Sequence, residues 1–343
     1  MKESTTVSKG KVSVYAAKEK GSELELLPVE PLALGERDVR ISVTHCGLCY
    51  TDVLGIEDYY GITEYPFIPG HEIIGTVSEL GSSSVNFKVG DRIGIGWLGR
   101  PCMRCEWCLK GEPQLCTRIV SAATWKPYGG FSSSMVVNGD FAYLLPDAMP
   151  SEEAAVLMCA GITVYSPLKA HAKGSSLKIG IVGVGGLGHL AIQFAHALGY
   201  DVTAISSTPG KRDEALSFGA DHFIPVDDKP ALAERKFYFD LLLCTAHGNF
   251  RWESLIDVLK KRGTLLLVGF PNLSLNTTDL VAHEVSIAGS FLGNPATMKE
   301  MLFFAQEHQI KPWVEQVPMR KINEAIQRLK ENKSRYRIVL YNE

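Results

Sequence analysis

Val39, Ile41 and Val43 alternate with polar residues, Ile73 to Leu80 is rich in strand formers, and Gly and Pro punctuate the intervals at short spacing. The first half of the chain is thereby predicted to be mostly β, a barrel-like or sandwich-like unit of short strands. From about Leu177 the pattern changes. An apolar strand at Ile179 to Gly183 runs into a glycine turn, a helix at Leu187 to Leu198 and a second apolar strand at Val202 to Ser206. Further strands are predicted at Phe223 to Val226, Asp240 to Cys244, Thr264 to Val268 and Val285 to Ala288, with helical stretches between the earlier ones. Alternating strand and helix implies a doubly wound parallel sheet. Near the C-terminus, amphipathic helices near Ala296 to Glu307 and Lys321 to Lys330 precede a short strand ending in Ile338, Val339 and Leu340. No internal repeat or low-complexity segment breaks this order.

The length of 343 residues suits two domains, each large enough for its own core. Thirty-five basic against thirty-eight acidic residues leave no cationic excess for a nucleic-acid backbone or an anionic membrane surface. The segment Met1 to Lys11 is polar, and no apolar run approaches the roughly 18 residues a membrane span requires. The expectation is a soluble, cytoplasmic protein.

Cysteine use adds chemistry to this outline. There are eight, and in a long chain read as cytoplasmic, clustered thiols more often hold metal than form disulfides. Cys102, Cys105, Cys108 and Cys116 form C-x2-C-x2-C-x7-C, four thiolates able to surround one tetrahedral Zn²⁺. An iron–sulfur cluster of the bacterial ferredoxin type would place its fourth cysteine sooner and follow it with proline, whereas Thr117 follows here. Arg100, Arg104 and Lys110 make the segment too polar to bury free thiols as hydrophobes. A closed four-sulfur set leaves no position open for substrate, so its role is structural.

Gly183, Gly185, Gly186 and Gly188 give G-V-G-G-L-G between an apolar strand and a helix. Such a turn lets backbone N–H groups approach a pyrophosphate at a helix N-terminus. At the end of the second strand, where an NAD-binding fold carries an acid for the ribose 2′-hydroxyl, the sequence offers Ser206, Ser207, Lys211 and Arg212. Hydroxyls and cations suit a 2′-phosphate, which favours NADP(H) over NAD. The same residues also fit the cationic first turn of a surface helix. Cys49, His71 and Cys159 are scattered, at intervals of 22 and 88 residues with no local signature. Alone, each could be a packed thiol, a hydrogen-bonded histidine or a metal ligand.

Taken together, G-L-C-Y-T-D, P-G-H-E, G-D-R-I-G-I-G, the four-cysteine lobe, C-A-G-I-T-V-Y-S-P-L, G-V-G-G-L-G-H, S-S-T-P-G-K and Y-R-I-V resemble the medium-chain zinc alcohol dehydrogenases, and within them the cinnamyl alcohol dehydrogenase-like branch. The resemblance runs through nearly the whole chain. It implies an α/β protein with a mostly-β, GroES-like catalytic domain (1–159 and 292–343) and an inserted Rossmann-type NADP-binding domain (160–291), usually in a homodimer. It implies two zinc ions per chain. Cys49, His71 and Cys159 would ligate the catalytic ion, with Glu72 an acid able to join them and Asp52 holding the histidine. Thr51 would hydrogen-bond the substrate oxygen and begin a proton relay. Thr163, Leu187 and the four glycines would meet the cofactor, and Arg337 would lie near its pyrophosphate and near Glu72. The implied reaction is hydride transfer between NADP(H) and a primary alcohol or aldehyde, aryl or medium-chain aliphatic.

One position departs from the pattern. Many relatives carry a relay histidine where this chain has Leu54, so the relay is shortened or rerouted through Tyr50, His45, Asp58 or the cofactor's ribose hydroxyls. That change keeps open reduction of a C=C or C=N bond on the same scaffold. A zinc-stabilised, dinucleotide-binding redox sensor is a reading of another class. It would have no need of Thr51, His71 and Cys159 beside the four-cysteine lobe. Trp97 and Trp125 fall in segments that line the substrate pocket of relatives, and either is equally a core or interface residue. Cys46 and Cys244 have no assigned role.

Overall fold

The computed structural model describes residues 10–84, 86–121, 129–247 and 251–343. Trp125 lies outside them. The chain divides into two compact units, one of residues up to Cys159 with Asn294–Leu302 and Pro312–Glu343, the other of Ala160–Gly293 with Phe303–Lys311.

In the first unit, β1 (Val12–Ala17) and β2 (Leu24–Val29) form an antiparallel pair. The main sheet contains β3 (Asp38–Leu48), β4 (Glu72–Leu80), β5 (Arg92–Ile95), β8 (Ser134–Asn138), β9 (Ala142–Leu144), β16 (Val314–Pro318) and β17 (Arg337–Tyr341). Its order is β16-β17-β3-β4-β5-β9, with β8 also on β3. The eleven residues of β3 serve two partners along one side, β8 over Asp38–Ser42 and β17 over His45–Leu48. Val39, Ile41 and Val43 point into a core shared with Ile73, Val77, Ile93 and Phe131, which is why the alternation was visible in sequence. Beyond Thr44, Cys46, Gly47 and Leu48 are buried in succession, and register shifts at Arg40/Ile41 and Val43/His45 mark where the strand re-aims its side chains. Two short strands, β6 (Leu98–Arg100) and β7 (Val120–Ser121), pair at the base of the cysteine lobe.

The second unit is a six-stranded, all-parallel sheet of β10 (Lys178–Val182), β11 (Asp201–Ser206), β12 (His222–Pro225), β13 (Phe239–Cys244), β14 (Leu259–Leu267) and β15 (Ser286–Gly289). The order β12-β11-β10-β13-β14-β15 reverses direction between β10 and β13, and ligands of such sheets bind beyond the strand ends at that point. Val182, Ile205, Leu242 and Leu265 are buried, as the near-continuous apolar runs require of strands covered on both faces.

Three elements differ from the sequence expectation. β14 begins at Leu259, five residues before Thr264, because Lys260, Lys261 and Arg262 form a charged run that continues the ladder through a register shift, with Arg262 at φ 65°. β16 was not anticipated. Its V-E-Q-V-P has too little apolar character to stand out, and its parallel pairing with β17 defines it. Ser151–His171 is one helical run with a π turn at Leu157–Gly161.

Candidate active site

β3 ends at Leu48, Cys49 directly after it caps the helix Tyr50–Ile56, and β4 begins at Glu72, directly after His71. The ladder sets Gly47 opposite Glu72, and a side chain at Gly47 would overlap the Glu72 carboxylate. Gly70 holds φ +104°, and an added Cβ there would lie 2.6 Å from the Phe131 backbone nitrogen. Glycine at both positions therefore lets His71 and Glu72 reach the end of β3. Cys159 arrives from the π turn, whose extra residue re-aims a side chain within an otherwise regular helix.

Potential ligand atoms of Cys49, His71, Glu72 and Cys159 all lie within 4.8 Å of one another. Asp52 organises this set. Its buried carboxylate accepts the backbone N–H of Cys49 at 3.0 Å, that of Gly70 at 2.9 Å and His71 Nδ1 at 3.0 Å. A carboxylate so placed makes Nδ1 the protonated nitrogen and leaves the Nε2 lone pair facing the cluster. Nε2 and Glu72 Oε2 are both buried with no hydrogen-bond partner. Orphaned buried acceptors are costly, and a cation among them removes the cost, so this donor set fits a zinc ion.

The ionisable groups of this set perturb one another strongly. The Cys159 thiol beside Cys49 holds the Cys49 sulfur well below the ordinary thiol range, against the effect of burial and with help from His71. Cys159 is pushed up by the same contact and by burial. Burial opposes a charge on His71, but Asp52 and the Cys49 sulfur outweigh it and raise His71 well above its usual value. Burial raises Glu72 to about 7, against the pull of Arg337. Arg337, on β17, donates through Nη2 to Glu72 Oε1, and both side chains are buried.

Thr51 Oγ1 lies 3.6 Å from Cys49 Sγ. Leu54 follows it on the same helix. Of the groups considered for a rerouted relay, Asp58 accepts the Thr63 N–H at 2.9 Å, and His45 Nδ1 lies 3.1 Å from the Thr44 hydroxyl. Trp97 packs, partly buried, against the core of the first unit.

Cys102, Cys105, Cys108 and Cys116 form the second cluster, with sulfur atoms all within 4.8 Å of one another. Cys116 Sγ accepts the N–H groups of Cys102 at 3.2 Å and Arg118 at 3.4 Å. Backbone donors, Arg104 first, lower Cys102 to about 6, whereas burial pushes Cys108 up to about 12. Four convergent sulfurs, with Cys102 and Cys105 both lowered from the ordinary thiol range by backbone N–H donors, fit a closed tetrahedral ion.

In the second unit, β10 ends at Val182, Gly183 turns the chain at φ +96°, and the helix Gly188–Ala197 follows. A side chain at Gly188 would overlap the Gly183 carbonyl oxygen, so the helix start packs directly on the strand end. Gly185 differs: an added Cβ meets nothing within 4 Å. This open cradle before a helix N-terminus fits a pyrophosphate. Leu187 precedes the helix, Gly186 lies within the turn, and Thr163 is half-buried on Ile162–His171. At the end of β11, Ser206 is buried and its hydroxyl accepts the Thr208 N–H at 3.2 Å, while Ser207 and Arg212 are exposed. Lys211 Nζ donates to the Val184 carbonyl at 2.7 Å. His189 and Thr245, which also touch this loop, carried no signal in the sequence reading. The available signs were the four-residue interval from Gly185 to His189 and the place of Thr245 directly after β13, the neighbour of β10.

The family described as the alcohol dehydrogenase GroES-like domain matches residues 35–147, and the zinc-binding dehydrogenase family matches residues 186–307. The aldehyde reductase AdhA of Synechocystis is 38% identical over 331 residues, covering 96% of this chain and 98% of that protein. Among solved structures, a cinnamyl alcohol dehydrogenase of Sorghum bicolor superposes with a TM-score of 0.91 at 36% identity, covering 96% of this chain and 97% of that one. A cinnamyl alcohol dehydrogenase of Helicobacter pylori, complexed with NADP(H), superposes with a TM-score of 0.87 at 30% identity over 96% of this chain and 98% of its own. Among the described residues, no helix is long and apolar enough to cross a membrane.

Proposed function

The chain belongs to the medium-chain zinc-dependent alcohol dehydrogenases, on the cinnamyl alcohol dehydrogenase-like branch, and we propose that it interconverts aldehydes and primary alcohols with NADP(H), acting on aryl or medium-chain aliphatic substrates. The single observation that carries this reading is the buried set of Cys49, His71, Glu72 and Cys159, in which His71 Nε2 and Glu72 Oε2 have no hydrogen-bond partner. Cys49, His71 and Cys159 would hold the catalytic zinc, and the four-cysteine lobe a structural one. When bound, the catalytic zinc supplies Lewis acidity toward a carbonyl or alcohol oxygen, and NADP(H) supplies or accepts the hydride.

The chain's own residues provide positions and protons. Asp52 locks the tautomer of His71. Arg337 offsets the charge of Glu72, which keeps a carboxylate available beside three stronger ligands. Thr51, beside Cys49, is placed to donate its hydroxyl proton to the substrate oxygen in the reducing direction. Leu54 carries no exchangeable proton, so the proton returned to Thr51 comes through another group, Tyr50, His45, Asp58 or a ribose hydroxyl of the cofactor. Ser206, Ser207 and Arg212 form the corner proposed for the 2′-phosphate.

A steady-state comparison of NADPH and NADH over cinnamaldehyde, benzaldehyde and aliphatic aldehydes, with product identification, tests the reading. Reduction of the aldehyde group with preference for NADPH is expected. Saturation of the conjugated C=C with the aldehyde left intact would replace this function by a double-bond reductase.

A further inference from the structure

We infer that three side chains, Thr245, Lys211 and His189, latch the glycine turn in its cofactor-ready shape by binding its three successive carbonyls. The inference rests on the proposed reading of Gly183–Gly188 as the pyrophosphate cradle.

The Thr245 hydroxyl lies 3.0 Å from the Gly183 carbonyl oxygen and 3.2 Å from that of Val182. Val182 already receives the Thr245 backbone N–H at 2.9 Å, which leaves the hydroxyl proton for Gly183. Lys211 Nζ donates to the Val184 carbonyl at 2.7 Å. His189 binds the Gly185 carbonyl twice, through its backbone N–H at 3.1 Å and its ring Nδ1 at 3.0 Å. A carbonyl oxygen can only accept, so Nδ1 carries the proton. Thr245 and His189 are buried and Lys211 is half-buried. The donors come from three places, after β13, after β11 and on the helix that the turn feeds.

In a trans peptide unit the C=O and N–H vectors are antiparallel. Holding the carbonyls of Gly183, Val184 and Gly185 therefore also sets the direction of the N–H groups of Val184, Gly185 and Gly186, the type of donor a pyrophosphate needs. Without the latch, glycine's freedom in φ lets these peptides turn. Lys211 becomes a positioning residue. Beside the 2′-phosphate contact that the sequence suggests, its ammonium, with three donors, also sits on the glycine turn, so its loss should weaken even a cofactor that has no 2′-phosphate.

Dissociation constants for NADPH, NADH and adenosine 2′-monophosphate, measured for wild type, Lys211→Met, Thr245→Val and Thr245→Ser, test this. Hydrogen exchange of the Val184, Gly185 and Gly186 amides in the cofactor-free proteins gives a readout independent of binding. The latch predicts that Lys211→Met and Thr245→Val each weaken NADH about tenfold, the scale of one lost hydrogen bond to a buried carbonyl, with faster exchange of those amides. Thr245→Ser, which keeps the hydroxyl, should restore both, and Thr245→Val should leave adenosine 2′-monophosphate binding within about twofold, since the bond lost lies on the pyrophosphate turn. A Lys211→Met protein that loses NADPH but binds NADH like wild type would make Lys211 a plain phosphate contact and overturn the latch. Unchanged binding and exchange in Thr245→Val would overturn it as well. Wild-type protein that binds neither dinucleotide would remove the cofactor reading and the latch together, whereas unaffected variants of a binding wild type remove the latch alone.

Discussion

Asp52 connects three separate pieces of chain through one carboxylate: the end of β3 at Cys49, the turn at Gly70 and the ring of His71. Each is a charge-assisted bond in a buried place, worth about 1.5–3 kcal/mol, so the residue both stabilises the site and fixes its histidine tautomer. Asp52→Asn should lower zinc affinity at this set about 10–100-fold, seen as faster release to a chelator with the four-cysteine lobe still loaded. Thr51→Val keeps the shape of the side chain and removes its proton. Aldehyde reduction is expected to fall about 10²–10⁴-fold at unchanged zinc content, and near-wild-type turnover would take Thr51 out of proton transfer. Cys244 tests the environment of a residue outside the chemistry. Burial pushes its thiol up to about 11, so at pH 8 roughly one molecule in a thousand carries the thiolate. Its alkylation should be slow in the folded protein and become fast only on unfolding, because the side chain is fully buried. Fast labelling of the folded protein would contradict the burial.

The glycine turn makes a prediction at the scale of an element, because two of its glycines exist for different reasons. Gly188 is needed for close packing, since a side chain there would overlap the Gly183 carbonyl oxygen. Gly188→Ala should cost about 1–3 kcal/mol and lower the melting temperature by roughly 5 °C. Gly185 faces open space within 4 Å and is needed only for a ligand. Gly185→Ala should melt like wild type and still bind NADPH many-fold more weakly in a calorimetric titration. Equal loss of stability in both variants would show that the turn is built for packing alone. The sequence pattern located this turn because the glycines, the strand before them and the helix after them are contiguous. It located β3 through the alternation of Val39, Ile41 and Val43. It did not reveal the π turn that carries Cys159 or the strand β16, since neither depends on a local periodicity.

Across the whole molecule, the two proposed zinc sites differ in how they are assembled. The lobe takes four ligands from one short stretch between Cys102 and Cys116, whereas the other set takes Cys49 from the end of β3, His71 and Glu72 from the start of β4, and Cys159 from a helix. Metal analysis should find about two zinc ions per chain, one of them released first by chelator, as an open site exposes its metal more than a closed Cys₄ shell. Loss of that first ion should abolish activity and leave the melting transition of the first unit in place, because its core rests on Val39, Ile41, Ile73 and Phe131. One zinc per chain would demote one of the two sites.

The sequence by itself determined the strand–helix alternation of the second unit, the four-cysteine lobe and the glycine turn, because each is written in neighbouring residues whose spacing already carries the geometry. The tertiary structure alone decided what distant residues do together. Cys49, His71 and Cys159 meet only when β3 and β4 pair in one register and the π turn re-aims a helix, and Glu72 fits only because Gly47 stands opposite it. Local charge suggested a phosphate contact for Lys211, and the fold adds a bond to the Val184 carbonyl of the glycine turn, 27 residues away in sequence. The physical reason is the same throughout. Local interactions reach a few residues along the chain, whereas the partners of a buried polar atom are chosen by packing.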